Sequence, residues 1–146
     1  MDPLITVSQA HNKVYEMLNM YQKLLLEVNH FDVSDYVKTL NKLFTDTVKP
    51  HFEFEEVKIF PIVFARKDLG LEKIISELLQ EHRQMIKHLA GISEKNAGIM
   101  NSSNPAPAEK DSLLASCNIL ARELVVHTQK EDSQLYPKIK EIMFNM

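Results

Sequence analysis

The stretch His51-Phe-Glu-Phe-Glu-Glu-Val-Lys-Ile-Phe-Pro61 returns 76 positions later as His127-Thr-Gln-Lys-Glu-Asp-Ser-Gln-Leu-Tyr-Pro137. In each copy a histidine is followed four residues on by a glutamate, Glu55 or Glu131, and the copy closes on an aromatic residue and a proline. Four residues make about one helical turn, so on an α-helix the imidazole and the carboxylate share a face and one ion can touch both. The repeat predicts two helices that each carry a metal-binding pair.

Apolar residues recur at helical spacing around both copies, and few alternating β-branched runs compete with them. The first predicted helix, about residues 7 to 29, carries Val7, His11, Val14, Leu18, Tyr21, Leu25 and Val28 on one stripe. The second, about 34 to 65 with Ser34 as N-cap, aligns Val37, Leu40, Phe44, Val48, His51, Glu55, Ile59 and Ile62, with a kink expected near Pro50 and Pro61. Gly70 marks the next boundary, and the third helix, about 70 to 96, turns Leu71, Ile75, Leu78, His82, Met85, Leu89 and Ile92 inward. A long loop from Gly98 to Ala108 precedes the fourth, about 109 to 144, whose stripe is Leu113, Cys117, Leu120, Leu124, His127, Glu131, Leu135 and Ile142. Pro137 should bend its last turns.

Short connections between such helices favour an all-α, antiparallel up-down-up-down four-helix bundle. Counting residues from each turn puts His11, His51, His82 and His127 at one level along it, all on inward stripes. His30 and His88 fall off the stripes and read as surface histidines.

A length of 146 residues fits a single domain, 1–146. No apolar run approaches the roughly 20 residues that span a bilayer, and the N-terminal Met-Asp-Pro-Leu-Ile-Thr lacks a basic leader, so a soluble, cytoplasmic protein with no membrane partner is expected. Lysines and arginines are scattered among acids at a net charge of −3, which argues against nucleic-acid binding. None of the glycines lies in a phosphate-binding loop and no serine sits in a nucleophile elbow, so nucleotide and acyl-transfer chemistry lose support. The single cysteine, Cys117, rules out an internal disulfide framework and a thiolate-rich metal site, and reads as a small buried apolar residue.

Core-facing Glu55 and Glu131 need compensation, because an ionised carboxylate buried without a partner costs several kcal/mol. Lys58 and Lys130 lie off the stripes, which leaves a bound cation as the simpler answer. Four imidazoles and two carboxylates suit first-row transition metals: iron or manganese best, with zinc open. Six ligands are too many for one tetrahedral zinc, whereas two ions sharing the carboxylates would leave positions for solvent or substrate. The expected metal ligands are therefore His11, His51, Glu55, His82, His127 and Glu131, around two iron ions joined by an oxide or hydroxide, a centre suited to a small diatomic or peroxide ligand. Glu56 and Asp132 then become surface acids or partners for the free ring nitrogens of the histidines, and Tyr15, one turn beyond His11, either packs, the favoured reading, or joins that outer set.

His11-Asn-Lys-Val, His51-Phe-Glu-Phe-Glu-Glu with Phe-Pro, Glu81-His82-Arg83 and His127-Thr-Gln-Lys-Glu-Asp with Tyr-Pro stand where the motifs of the hemerythrin-like cation-binding family would stand. The resemblance covers nearly the whole chain. Oxygen carriers of that family have a fifth histidine one turn after the third-helix histidine, and here that place is Ile86, which cannot ligate; they also use a carboxylate five residues after the fourth-helix histidine, which would be Asp132, whereas the stripe and the match to Glu55 favour Glu131. The remaining four-His, two-Glu set is similar to diiron proteins implicated in repair of iron centres under nitrosative or oxidative stress. That likeness implies reaction with nitric oxide or peroxide, or iron delivery; the expected function is a diiron protein that binds or reacts with O2, nitric oxide or peroxide, an oxidoreductase-type centre, and the alternative is an oxygen or iron sensor or a storage module without turnover.

Overall fold

The computed structural model describes the backbone of residues 3–27, 33–102 and 106–144, and the side chains at 9, 11–27, 35–102 and 106–141. The expected roles of Val7, Val28, His30 and Ile142 lie outside the described residues, whereas the second helix already begins at Val33, which puts Ser34 in its first turn and not at the expected cap. Every regular element among the described residues is helical: α1 (Pro3–Leu26), α2 (Val33–Phe54), a π-helical turn (Glu55–Ile59), α3 (Phe60–Phe64), α4 (Leu69–Met100), α5 (Pro107–Lys130), a second π-helical turn (Glu131–Leu135) and α6 (Tyr136–Phe144). Each π turn joins its neighbours without a gap, so the described residues form four rods, 3–26, 33–64, 69–100 and 107–144. α1 packs on α2, α2 on α4 and α4 on α5, while a hydrogen bond from His11 to Asp132 ties the first rod to the fourth. The protein is an antiparallel four-helix bundle.

Both π turns trace to the repeated proline. Pro61 has no N–H to give and its ring crowds the carbonyl four residues back, so an ordinary turn is disfavoured there. Widening the turn by one residue relieves the crowding: the Phe60 amide donates to the Glu55 carbonyl, and in the second copy the Tyr136 amide donates to the Glu131 carbonyl. At Pro50, by contrast, α2 runs on unbroken. The added residue also rotates the remainder of the rod, so Val63 is buried in place of the expected Ile62, and Ile62 is only half-buried.

The turn between the second and third rods passes through Lys67 in the left-handed region (φ 56°), and Asp68 then caps α4 by accepting from the Leu71 amide at 3.1 Å. α4 continues through Gly98 to Met100, past the predicted end at residue 96. Ile99 is buried in the core, and that burial outweighs the roughly 1 kcal/mol that a mid-helix glycine costs. α5 begins at Pro107, a residue suited to the first helical turn, slightly before the predicted start.

Two apolar clusters fill the bundle. One, from Val14 and Tyr21 through Phe44 and Leu89 to Leu120 and Leu124, occupies one end, and the other gathers Ile59, Phe60, Val63, Ile75, Leu78, Leu135 and Ile139. Between them lies a buried polar layer.

Candidate metal centre

That layer holds six side chains from four rods: His11 on α1, His51 on α2, Glu55 at the first π turn, His82 on α4, His127 on α5 and Glu131 at the second π turn. All six are buried, and Glu55 and Glu131 have no exposed surface at all. The structure thus brings every sequence-derived candidate to one place. The Nε2 atoms of the histidines face the carboxylates. Glu55 Oε1 lies 3.1 Å from His82 Nε2, 3.5 Å from His51 Nε2 and 3.8 Å from His127 Nε2, while Glu55 Oε2 lies 4.0 Å from His11 Nε2. Glu131 Oε1 is 3.1 Å from His127 Nε2 and 3.7 Å from His11 Nε2.

Three of the four Nδ1 atoms meet carboxylates of their own, and that of His51 meets none. His11 Nδ1 bonds Asp132 at 2.8 Å, His82 Nδ1 lies 3.4 Å from Glu56, and His127 Nδ1 lies 3.0 Å from Glu81. Glu56 and Asp132 stand in the places expected of them. Glu81 is an addition that the stripes do not predict; Lys130 bonds it at 2.9 Å and binds Glu77 as well. Tyr15 does more than pack, since its hydroxyl donates to Asp132 at 2.8 Å. Tyr136, in sequence only part of a Tyr-Pro ending, donates its hydroxyl to Glu55 at 2.6 Å. His82 is held face-on by Phe52, with ring centroids 3.9 Å apart. Ile86, where oxygen carriers have a histidine, packs against the apolar core instead, and His88 pairs with Glu123 away from the layer.

Burial alone would raise the Glu55 carboxyl, but His11, His127, His82 and His51 around it outweigh that and hold it well below the usual carboxylate range. Burial lowers His51 to about 4, assisted by the other three imidazoles and opposed by Glu55, so its ring stays neutral and can donate a lone pair at physiological pH. Burial, then Glu55 and Asp132, raise Tyr136 far above an ordinary phenol, which keeps it a donor.

A cation fits this donor set because so many of its valences are unmet. His11 Nε2, both ring nitrogens of His51 and Glu131 Oε1 are buried without a hydrogen-bond partner; His127 Nε2 is near Glu131 Oε1 but not aligned to bond it. Such orphaned groups are costly unless something unites them. The inward atoms form two groups, each within 4.8 Å mutual distance: His11, His51, Glu55 and Glu131, and Glu55, His82 and His127. Glu55 belongs to both. Beside His51 a cleft of about 300 Å³ between α1 and α2, lined by Gln9, Lys13, Thr47 and Phe54, approaches the layer from outside.

A four-rod bundle with a histidine and carboxylate layer at mid-height defines a class of cation-binding helical proteins. Residues 2–139 match the family model of the hemerythrin HHE cation binding domain, and the chain belongs to that family. No curated protein and no solved structure matches it. No helix among the described residues is long and apolar enough to cross a membrane.

Proposed function

We propose that this chain is a non-haem diiron protein whose centre binds or reacts with O2, nitric oxide or peroxide. His11, His51, Glu55, His82, His127 and Glu131 would hold the two ions, with Glu55 shared between them. The observation that carries the reading is the pair of donor groups meeting at Glu55, together with the orphaned buried atoms that surround it. Four imidazole nitrogens and two carboxylates suit iron, and six donors distributed over two ions leave coordination positions open to a small ligand. Bound there, the iron pair would supply one- and two-electron redox chemistry and Lewis acidity. The chain's own residues shape that site. Phe52 and Phe60 flank His82 and exclude water on that side, while Tyr136 keeps a proton on its hydroxyl against Glu55.

Metal analysis of protein produced with iron tests the first part, with about two irons per chain expected; zinc alone at one per chain would remove the diiron reading. Mixing the reduced protein separately with O2, nitric oxide and H2O2 tests the second. Rapid consumption of peroxide or nitric oxide supports an oxidoreductase, and a stable O2 adduct without turnover supports the sensor or storage alternative.

A further inference from the structure

We propose that the two metal positions are inequivalent: Glu81, steered by Lys130, makes the position at Glu55, His82 and His127 the tighter, and the position at His11, His51 and Glu131, which shares Glu55, is the exchangeable one although it has one donor more. The inference rests on the dinuclear reading above. Its starting point is an asymmetry that the internal repeat exposes. Asp132 serves the outer nitrogen of His11 and Glu56 that of His82, and these two acids are themselves 76 residues apart, so the repeat supplies one to each half. Beyond that the halves differ. Glu81, directly before His82, reaches His127 Nδ1 at 3.0 Å, and Lys130 fixes the other oxygen of Glu81 at 2.9 Å. The residue directly before His11 is Ala10, a methyl group with no acceptor, and His51 Nδ1 has no partner. One position has both imidazoles clamped from outside; the other has one of two.

Packing and distance run the same way. His82 is stacked between Phe52 at 3.9 Å and Phe60 at 5.7 Å, and its Nε2 already lies 3.1 Å from both Glu55 Oε1 and His127 Nε2. Around His11 and His51 the separations to Glu55 and Glu131 are 3.5 to 4.0 Å, against 3.1 Å from His82 and 3.8 Å from His127 to Glu55 Oε1, so it is His82 that makes the difference. Clamped rings lose less freedom on coordinating, and an acid on the outer nitrogen strengthens the inner one as a donor. Loss of such an outer partner typically lowers metal affinity by roughly 10–100-fold, which sets the expected gap between the positions. The cleft at His51 gives the weaker position a path for exchange.

The test is an anaerobic titration of the metal-free full chain with Co²⁺, followed by visible absorption and by competition with Zn²⁺, with helix content checked by circular dichroism. Two binding events differing by roughly 10–100-fold are expected. His51→Ala should remove the weaker event and spare the tighter, and His82→Ala should do the reverse. Glu81→Ala should weaken the tighter event by roughly 10–100-fold, with partial recovery in Glu81→Gln, which keeps an acceptor for His127. Lys130→Met touches no inward donor and should move the tighter event in the same direction. Two events of equal affinity, loss of the tighter event in His51→Ala, or an unmoved tighter event in folded Lys130→Met and Glu81→Ala would overturn the inference. Binding of a single ion, or of none, would instead overturn the dinuclear reading beneath it.

Discussion

Tyr136 sets its hydroxyl 2.6 Å from Glu55 Oε2 and 3.3 Å from Glu131 Oε2, so one donor on the fourth rod spans the two carboxylates that the sequence repeats. Its counterpart in the first copy is Phe60, which has no hydroxyl and lies against His82. Tyr136→Phe should remove the donor with little change of shape and strand a buried carboxylate oxygen. The metal-free variant should lose about 1–3 kcal/mol in urea unfolding. Metal would give Glu55 another positive partner, so the loss should shrink in the loaded protein. An equal loss in both forms would assign Tyr136 a packing role against His11, whose ring it meets edge-on at 5.0 Å.

Glu55 is the one residue common to both donor groups, and it has no exposed surface. Glu55→Ala should therefore reduce metal content from about two ions per chain to below one, whereas His11→Ala should remove only one. Asp132 acts from outside through His11 Nδ1, and its side chain is partly in solvent. Asp132→Ala should weaken binding by roughly tenfold while leaving stoichiometry at saturating metal intact. Elemental analysis after desalting distinguishes these, and complete metal loss in Asp132→Ala with retention in Glu131→Ala would exchange the roles of the two acids.

The polar layer is legible in the sequence because its histidines sit on apolar stripes and their heights can be counted from the turns. Such a count assumes a constant helical period, so it cannot contain the π turns at Glu55 and Glu131, and Val63 rather than Ile62 is the buried residue. The signal for them is the proline six residues after each glutamate. Glu81 lies beside the stripe and so escapes the pattern, although its place directly before His82 and its reach to His127 make it as central as Glu56. Phe52, next to His51 in sequence, escapes for the same reason, since the buried face at this level is wider than a single stripe. A helix end at 96 rests on Gly98, a local preference that the burial of Ile99 overrides.

Cys117 has no exposed surface and lies in the larger apolar cluster, where burial pushes its thiol up to about 12, only partly offset by Lys95. Thiolate is the reactive form, so the native protein at pH 8 should react with a disulfide reagent at well under a tenth of the rate of the same protein in denaturant. Release of thionitrobenzoate measures both. Reaction of the native chain at the unfolded rate would mean that the bundle opens at this end.

Metal removal tests how much of the fold depends on the layer. Apolar clusters flank it on both sides, so chelation should leave helix content by far-ultraviolet circular dichroism nearly unchanged at 25 °C. The unmet donors His11 Nε2, His51 Nε2 and Glu131 Oε1 should nevertheless weaken the metal-free state relative to the loaded one. An ion held at 100 times its dissociation constant stabilises by about 2.7 kcal/mol, which for a chain of this size raises the melting temperature by roughly 5–10 °C. Calorimetry with and without chelator reads the shift. A melting temperature indifferent to metal would show that these six side chains satisfy one another without an ion, and collapse of the helices on chelation would show that the flanking clusters cannot hold the rods together alone.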